Sequence, residues 1–226
     1  MIPLRDDAPR EGVPWVTWAL LLLNGAIFAY QLSLGSAAST LIERLGLSPM
    51  VMLSSDGWAD GRAPAALLGH LFLHAGWLHL LGNLWVLHVF APALEGRMGA
   101  LRFGRLYLGC GVAAALAQVA VNPASAVPMI GASGALAGVL GAYLVLFPGS
   151  RVQTLMPLPL ILVIEVPAFV FLGIWALLQV LNATANLGAE GGVAWFAHLG
   201  GFGAGVGYAL LRRGDLRRPR PARHRR

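Results

Sequence analysis

The chain has 226 residues, of which 57% are hydrophobic and 12% are charged, and its formal net charge at pH 7 is +6. This composition excludes an ordinary soluble domain and indicates a membrane protein with several spans. The single cysteine, Cys110, excludes an intramolecular disulfide, and we expect it to be a small buried residue within a span.

Six apolar stretches are candidates for crossing a membrane, since a span needs about 20 mainly apolar residues. They are residues 15–34, 77–94, 102–121, 133–147, 158–181 and 193–211. The sequence therefore predicts an all-α fold, a polytopic bundle of six transmembrane helices over residues 15–211. We expect residues 1–14 to be a mobile cytoplasmic leader and residues 212–226 to be a basic cytoplasmic tail.

The distribution of arginine predicts the orientation of the bundle. All sixteen basic residues are arginines, and cytoplasmic segments near span ends collect basic residues. With the N-terminus inside, all of them except Arg44 and Arg62 face the cytoplasm, so both termini are expected there. Arginine as the only basic residue, with abundant alanine and glycine, favours a bacterial cytoplasmic (inner) membrane as the location of this multi-pass protein.

The basic tail admits two partners, nucleic acid or anionic lipid. It begins where the last predicted span ends, and arginines in that position are attracted to lipid head groups. We therefore expect membrane lipids as a partner and no nucleic acid.

Residues 35–76 form the longest connection between predicted spans. The segment contains serine, aspartate and glycine, but also the apolar Leu47, Met52 and Trp58. Loops of this length are usually functional or have structure of their own. We expect an interfacial first loop whose short helices rest in the outer leaflet.

Two polar side chains share one face of the predicted second span. His79 and Asn83 are four residues apart, which places them on the same side of a helix. Polar side chains inside a bilayer are costly and mark function by default. Neutral histidine and asparagine both offer N–H donors, so the pair is a candidate oxyanion hole.

The predicted fourth span begins at Ser133, within the run Gly131-Ala132-Ser133-Gly134. The span covers about 22 Å, which is short of the ~30 Å hydrocarbon core. The loop before Ser133 is therefore expected at membrane depth, where irregular backbone is tolerated only inside protein or beside a water-filled cavity. We expect a cavity that opens outward at Ser133.

His198, in the predicted sixth span, is the candidate base for Ser133, because a serine nucleophile needs a base within hydrogen-bond reach. Small residues spaced by four let two transmembrane helices approach closely. Gly134 and Gly138 have this spacing, as do Gly201 and Gly205, and Gly141 lies on the same side of the predicted fourth span. No aspartate lies in a predicted span, so we expect a Ser–His dyad whose imidazole is held by packing rather than by a carboxylate.

The predicted fifth span contains Glu165 and Pro167, and the proline should kink the helix. Glu165 admits two interpretations, a proton relay or a carboxyl packed against another span. We favour the structural interpretation.

Four histidines, His70, His74, His79 and His88, also admit a metal site. No cysteine pair and no nearby carboxylate completes the ligand set. We expect no metal and no other cofactor, and we expect His70 and His74 to order the segment that leads into the second span.

Three motifs occur in register across three predicted spans. They are His79-Leu80-Leu81-Gly82-Asn83, Gly131-Ala132-Ser133-Gly134, and Ala197-His198-Leu199-Gly200-Gly201 followed by Gly205. Together they resemble the rhomboid family of intramembrane serine proteases, over residues 70–208. The resemblance implies a six-helix core, Ser133 as nucleophile, His198 as base and oxyanion contacts from His79 and Asn83.

The resemblance also implies a substrate class, which is membrane proteins whose transmembrane segments unwind near the outer face. It implies a mobile fifth helix that admits the substrate laterally. Glu95 and Arg97 resemble a polar pair of the family, which we interpret as structural. One departure is Ala137, where some members have an aromatic side chain that supports the histidine ring, so another group must pack there.

A second hypothesis stays open beside the protease. The same bundle could be a catalytically silent membrane binding protein or transporter, in which histidine and asparagine bind a polar solute and Ser133 only caps a helix.

Overall fold

A computed structural model describes residues 1–156, 162–187 and 192–216 of the chain. The predicted basic tail lies outside the described residues from position 217 onward, and so do the first four residues of the predicted fifth span. The described part is mostly helical. In chain order its strands and α-helices are β1 (Ile2–Asp6), α1 (Trp15–Ser33), α2 (Ala38–Leu45), α3 (Pro49–Leu53), α4 (Ser55–Ala59), α5 (Arg62–Gly69), α6 (Trp77–Met98), α7 (Ala100–Val121), α8 (Ser133–Leu146), β2 (Arg151–Met156), β3 (Leu162–Pro167), α9 (Ala168–Ala185), α10 (Trp195–Leu211) and α11 (Arg213–Leu216).

Four helices of the described chain are long and apolar enough to cross a membrane, namely α1, α6, α7 and α9. The protein is therefore an integral membrane protein. The helix α8 is apolar but has only 14 residues, about 21 Å at 1.5 Å per residue, and α10 has 17. The count of six spans stays a prediction.

Glycines let α8 and α10 pack backbone to backbone. A Cβ on Gly201 would overlap the carbonyl oxygen of Gly134, and a Cβ on Gly205 would overlap that of Gly138. The other side of Gly138 meets Cys110 of α7, which is buried as predicted. The close approach expected from the spacing of these glycines is confirmed.

The segment between α1 and α6 folds as the four short helices α2 to α5, with 3₁₀ turns at Gly35–Ala37 and His70–Phe72. Leu47, Met52 and Ala63 are buried here and belong to one apolar cluster with Ala115 and Val119 of α7. The short helices expected from the sequence are present, and they rest against the bundle. Their depth relative to a membrane stays a prediction.

The prediction of an all-α fold was wrong in one region. β1, β2 and β3 form an antiparallel sheet in that order. The residues expected as a mobile leader supply β1, and the Asp6 carboxylate accepts a hydrogen bond from the Tyr143 hydroxyl of α8. The leader is thus held against the end of α8 that lies opposite Ser133.

The predicted fifth span is also corrected, because its first part is the strand β3. Short apolar runs rich in β-branched residues do not distinguish a strand from a helix, and Val163, Ile164 and Val166 form such a run. Pro167 ends the strand and α9 begins directly after it, so there is no proline kink within the helix. Glu165 is half-exposed, and its Oε2 lies 3.6 Å from Arg151 Nη1 on β2. It is therefore neither a proton relay within a span nor a carboxyl packed against one.

Glu95, near the end of α6, forms hydrogen bonds with the start of α1. Its carboxylate accepts hydrogen bonds from the backbone N–H groups of Val16 and Thr17 and from the Thr17 hydroxyl, all at 2.8 Å. A carboxylate at a helix N-terminus satisfies free N–H groups and favours the helix dipole. The Arg97 guanidinium lies 5.5 Å from the centre of the Phe147 ring. These contacts agree with the structural interpretation of both residues.

Candidate active site

Ser133 and His198 meet at one end of the bundle. Ser133 is the first residue of α8, and His198 lies in the first turn of α10. His198 Nε2 is 2.9 Å from Ser133 Oγ, which is hydrogen-bond distance. The close packing of the two helices brings these side chains together across sixty-five positions of sequence, as the glycine spacing predicted.

The second ring nitrogen of His198 has a partner that the sequence interpretation missed. His198 Nδ1 is 2.8 Å from Gln179 Oε1 on α9. Gln179 Nε2 donates to the carbonyl oxygen of Trp175 at 3.2 Å, which assigns the amide oxygen to the histidine. The imidazole is therefore held by a hydrogen bond to a neutral amide, and not by packing alone as expected.

Two tryptophan rings flank the imidazole of His198. The Trp175 ring centre is 6.2 Å from that of His198 at an interplanar angle of 37°, and Trp195 meets His198 edge-on at 6.0 Å. Aromatic neighbours at these distances restrict the ring by contact. Trp175 and Trp195 therefore pack beside His198, and an aromatic side chain at position 137 of α8 is absent.

His79 and Asn83 face the loop that precedes Ser133. A Cβ placed on Gly131, whose φ is 119°, would lie 2.6 Å from His79 Nε2 and 3.7 Å from Asn83 Nδ2. Only glycine adopts such a φ without strain, and only glycine leaves this space open. The loop conformation and the two side chains therefore enclose a small space beside Ser133.

Both side chains present N–H donors to that space. The Ala75 N–H donates to His79 Nδ1 at 3.4 Å, so the proton of a neutral imidazole is on Nε2. Asn83 Nδ2 is buried and has no hydrogen-bond partner within the described residues. A buried donor without a partner is uncommon and calls for an explanation; a ligand oxygen in this space would supply its partner.

The turn at His70–Phe72 supports the same loop from behind. The Gly131 N–H donates to the His70 carbonyl oxygen at 2.8 Å, and the His70 ring is bonded through Nδ1 to the Ala66 carbonyl oxygen at 2.8 Å. The side chain of Gln31 bonds both the N–H and the carbonyl oxygen of His74. His70 and His74 are thus part of the ordered approach to α6, as predicted.

Burial determines the protonation of these two histidines. It lowers the pKa of His70 to about 4. Burial and the nearby His79 lower the pKa of His74 to about 4. Both rings are neutral at pH 7, and no group of three or more histidine, cysteine, aspartate or glutamate side chains in the described chain could hold a metal ion.

A cavity of about 1480 Å³ opens at this end of the molecule. Its walls include Ser133, His198, His79 and Asn83, together with the loop 122–131 and the residues that lead into α10. The sheet lies at the other end of α8, so the cavity and the sheet are on opposite ends of the bundle. The cavity can hold water and an extended peptide segment beside the serine.

Comparisons with known proteins agree with the sequence motifs. The model of the Rhomboid domain family matches residues 62–214. The putative rhomboid protease YdcA of Bacillus subtilis is 41% identical over 78 residues, which are 34% of this chain and 39% of that protein. RHOMBOID-like protein 5 of Arabidopsis thaliana is 30% identical over 246 residues, covering 91% of this chain and 71% of that protein.

A mitochondrial protein is also similar. Rhomboid protein 1 of Saccharomyces cerevisiae is 32% identical over 147 residues, covering 63% of this chain and 40% of that protein. The chain therefore spans about two fifths of the length of the Bacillus and yeast relatives. The relatives come from bacterial, plant and mitochondrial sources.

Proposed function

The chain belongs to the rhomboid family, and we therefore propose that it is an intramembrane serine endopeptidase that acts through Ser133 and His198. The observation that carries the proposal is the 2.9 Å contact between Ser133 Oγ and His198 Nε2, both of which line the cavity. A serine becomes an effective nucleophile when a base within this distance takes its proton. Catalysis through the membrane-embedded pair needs no metal or cofactor.

The first chemical step is attack of Ser133 Oγ on a substrate carbonyl carbon. His198 Nε2 accepts the hydroxyl proton as the new C–O bond forms, and the imidazole becomes positively charged. The amide oxygen of Gln179 accepts from Nδ1–H and faces the charged ring with its negative end. The pair acts without a third, acidic member.

The negative oxygen of the tetrahedral intermediate is stabilised by N–H donors near the N-terminus of α8. His79 Nε2–H, Asn83 Nδ2–H and the backbone N–H of Ser133 are the proposed donors. The last of these is at a helix N-terminus, where the helix dipole favours negative charge. The space kept open by Gly131 is the proposed position of this oxygen.

Breakdown of the intermediate and hydrolysis complete the reaction. The proton on His198 Nε2 passes to the leaving amine, the C–N bond breaks, and an acyl group remains on Ser133. A water molecule from the cavity then attacks the acyl carbon while His198 Nε2 takes its proton. The bond between this carbon and Ser133 Oγ breaks, the proton passes from His198 Nε2 to Oγ, and the carboxylic acid product leaves. The cavity supplies the water that the lipid environment excludes.

The substrate class follows from the geometry of a helix. The peptide bonds of an intact transmembrane helix are hydrogen-bonded and covered by side chains, so a cleavable segment must unwind locally. The proposed substrates are membrane proteins with a helix-destabilising stretch near the outer face. We propose a bacterial cytoplasmic membrane as its location, because arginine is the only basic residue and alanine and glycine are abundant. The proposed topology has six spans, from the apolar stretches, and both termini inside, from the distribution of arginine.

The rival function is a silent binding protein or transporter on the same bundle. It needs neither a nucleophile nor a base, so it does not explain the hydrogen bond between Ser133 and His198. It does use the N–H donors of His79 and Asn83. Activity of the purified protein separates the two functions.

The test is cleavage of a transmembrane reporter by the protein reconstituted in lipid vesicles. We expect the wild type to cleave the reporter, and the Ser133→Ala and His198→Ala variants to be inactive while folded to the same extent. Undiminished cleavage by Ser133→Ala would refute the proposal. Binding of a polar solute by a wild type without proteolytic activity would support the rival.

A further inference from the structure

We propose that Gln179 is a positioning residue for His198, which fixes the tautomer and orientation of the base from α9. This inference rests on the proposed function, in which His198 Nε2 must be free of a proton in the resting enzyme. It concerns a residue outside the motifs that identify the family. Gln179 touches neither the reacting serine nor the space proposed for the oxyanion, so its effect passes through His198.

The hydrogen bonds around Gln179 determine which ring nitrogen of His198 carries the proton. The Trp175 carbonyl oxygen accepts from Gln179 Nε2 at 3.2 Å, so Gln179 Oε1 is the atom that faces His198 Nδ1 at 2.8 Å. An amide oxygen can only accept, and a neutral imidazole carries one proton. Nδ1 is therefore protonated, and the lone pair of Nε2 faces the Ser133 hydroxyl.

The position of Gln179 within α9 supports a specific role. Gln179 is 6% exposed. Its neighbours on the helix are far more exposed, with values of 43 to 56% for Leu177, Leu178 and Val180. A polar side chain in a membrane helix is costly unless it is paired. Gln179 is thus a polar side chain of α9 that turns inward, and its oxygen faces the base.

A neutral acceptor suits the surroundings of this histidine. In the part of the chain that the structure describes, no carboxylate lies within hydrogen-bond or ion-pair distance of His198. A buried carboxylate in an apolar environment would carry a large desolvation cost. The amide directs the Nδ1 proton at a lower cost, and it gives less stabilisation to the charged imidazolium than a carboxylate would.

The location of Gln179 gives α9 a direct influence on the chemistry. Ser133 and the proposed oxyanion donors belong to α8 and α6, and His198 belongs to α10. The orientation of the base depends in addition on α9, which packs chiefly on α10. Most residues of α9 are not buried. A displacement of α9 would release Nδ1 and uncouple the base without moving the serine.

The tautomer is tested without any activity measurement, by ¹⁵N NMR of histidine-labelled protein in detergent micelles. The His198 resonances are assigned by their loss in a His198→Ala variant. We expect the wild type to carry its proton on Nδ1, and Gln179→Met to show the proton on Nε2 or a mixture of tautomers. A wild-type His198 with its proton on Nε2, or a Gln179→Met spectrum like that of the wild type, would overturn the proposal.

Kinetics of reporter cleavage supply the second test. Removal of the acceptor in Gln179→Met should lower kcat about 10- to 100-fold with little change in KM or in the thermal unfolding midpoint. Gln179→Glu keeps an acceptor and should recover most of kcat, with the acid limb of the pH profile moved to higher pH because a carboxylate favours the imidazolium. The matched control is Thr184→Val on the same helix, since its hydroxyl bonds only to the Val180 and Leu181 carbonyl oxygens of α9.

The two proposals fail in different ways. Wild-type kcat in Gln179→Met contradicts the positioning role while Ser133→Ala remains inactive. Cleavage that survives Ser133→Ala contradicts the proposed function, and the tautomer measured by NMR is then unaffected. Equal losses of kcat in Gln179→Met and Gln179→Glu, with both proteins folded, would also contradict a role for the acceptor.

Discussion

Two residues at the cavity, Asn83 and Gly131, carry a local energetic cost in the resting protein. Asn83 is 8% exposed and its Nδ2 has no partner within the described residues, and a buried unpaired N–H costs about 1–3 kcal/mol. Gly131 holds an unusual φ in order to leave the neighbouring space open. Such local costs are typical of sites that are arranged for a transition state rather than for stability.

The Asn83→Ala variant should separate activity from stability. We expect kcat for reporter cleavage to fall about 10²- to 10³-fold, which is the effect of losing one oxyanion donor. The thermal unfolding midpoint should stay the same or rise, because the lost N–H makes no hydrogen bond in the resting protein. A fall in midpoint with unchanged kcat would show that Asn83 is structural.

The candidate site residues could be predicted from the sequence because they are polar residues in apolar runs. Ser133, His198, His79 and Asn83 all stood out for this reason, and the glycine spacing predicted that the first two would meet. Gln179 is equally polar, but its partner could not be inferred. The predicted fifth span began ten residues too early and carried a kink, so the direction of each side chain on that helix was undefined.

The helices α8 and α10 form the element pair on which the proposed Ser133–His198 dyad depends. Their glycines replace side chains with backbone contact, which fixes the distance between Ser133 and His198. Periodic small residues are visible in a sequence, so this contact was predictable. The strand β3 could not be predicted, because an apolar β-branched segment of this length fits a helix and a strand equally well.

Two glycines of α10 provide a matched test of this packing. In Gly205→Ala the new methyl group would overlap the Gly138 carbonyl oxygen, whereas at Gly203 no atom lies within 4 Å. We expect Gly205→Ala to be destabilised by about 3 kcal/mol, seen as a fall of about 10 °C in the unfolding midpoint. It should also lose most of its activity, while Gly203→Ala should match the wild type in both measurements.

The opposite result would contradict this packing. Equal midpoints for Gly205→Ala and Gly203→Ala would show that α8 and α10 are farther apart than the structure places them.

The molecule as a whole has two unlike ends. One end carries the cavity with the proposed chemistry, and the other carries the three-stranded sheet that ties the N-terminal segment to α8 and to the start of α9. Between them run helices whose apolar exteriors suit a lipid environment. The cavity end also contains the buried neutral histidines His70 and His74, which link the stability of the fold to pH.

Acid should destabilise the protein through His70. Its pKa is about 4 in the folded state, below the value of about 6.5 for an unfolded chain, so its contribution is fully present above pH 6.5 and is lost as the pH falls toward 4. At pH 5 the loss should be about 2 kcal/mol. Unfolding midpoints in detergent from pH 7.5 to 5 should fall in the wild type and fall less in His70→Gln. The same dependence in both proteins would contradict this assignment.

The most direct measurement of the central claim is the site of covalent modification by a fluorophosphonate, located by mass spectrometry of the protein in lipid vesicles. If Ser133 is activated by His198, the reagent should add to Ser133, and the adduct should disappear in His198→Ala. Modification of another residue, or equal modification of Ser133 with and without His198, would contradict a catalytic pair inside the membrane.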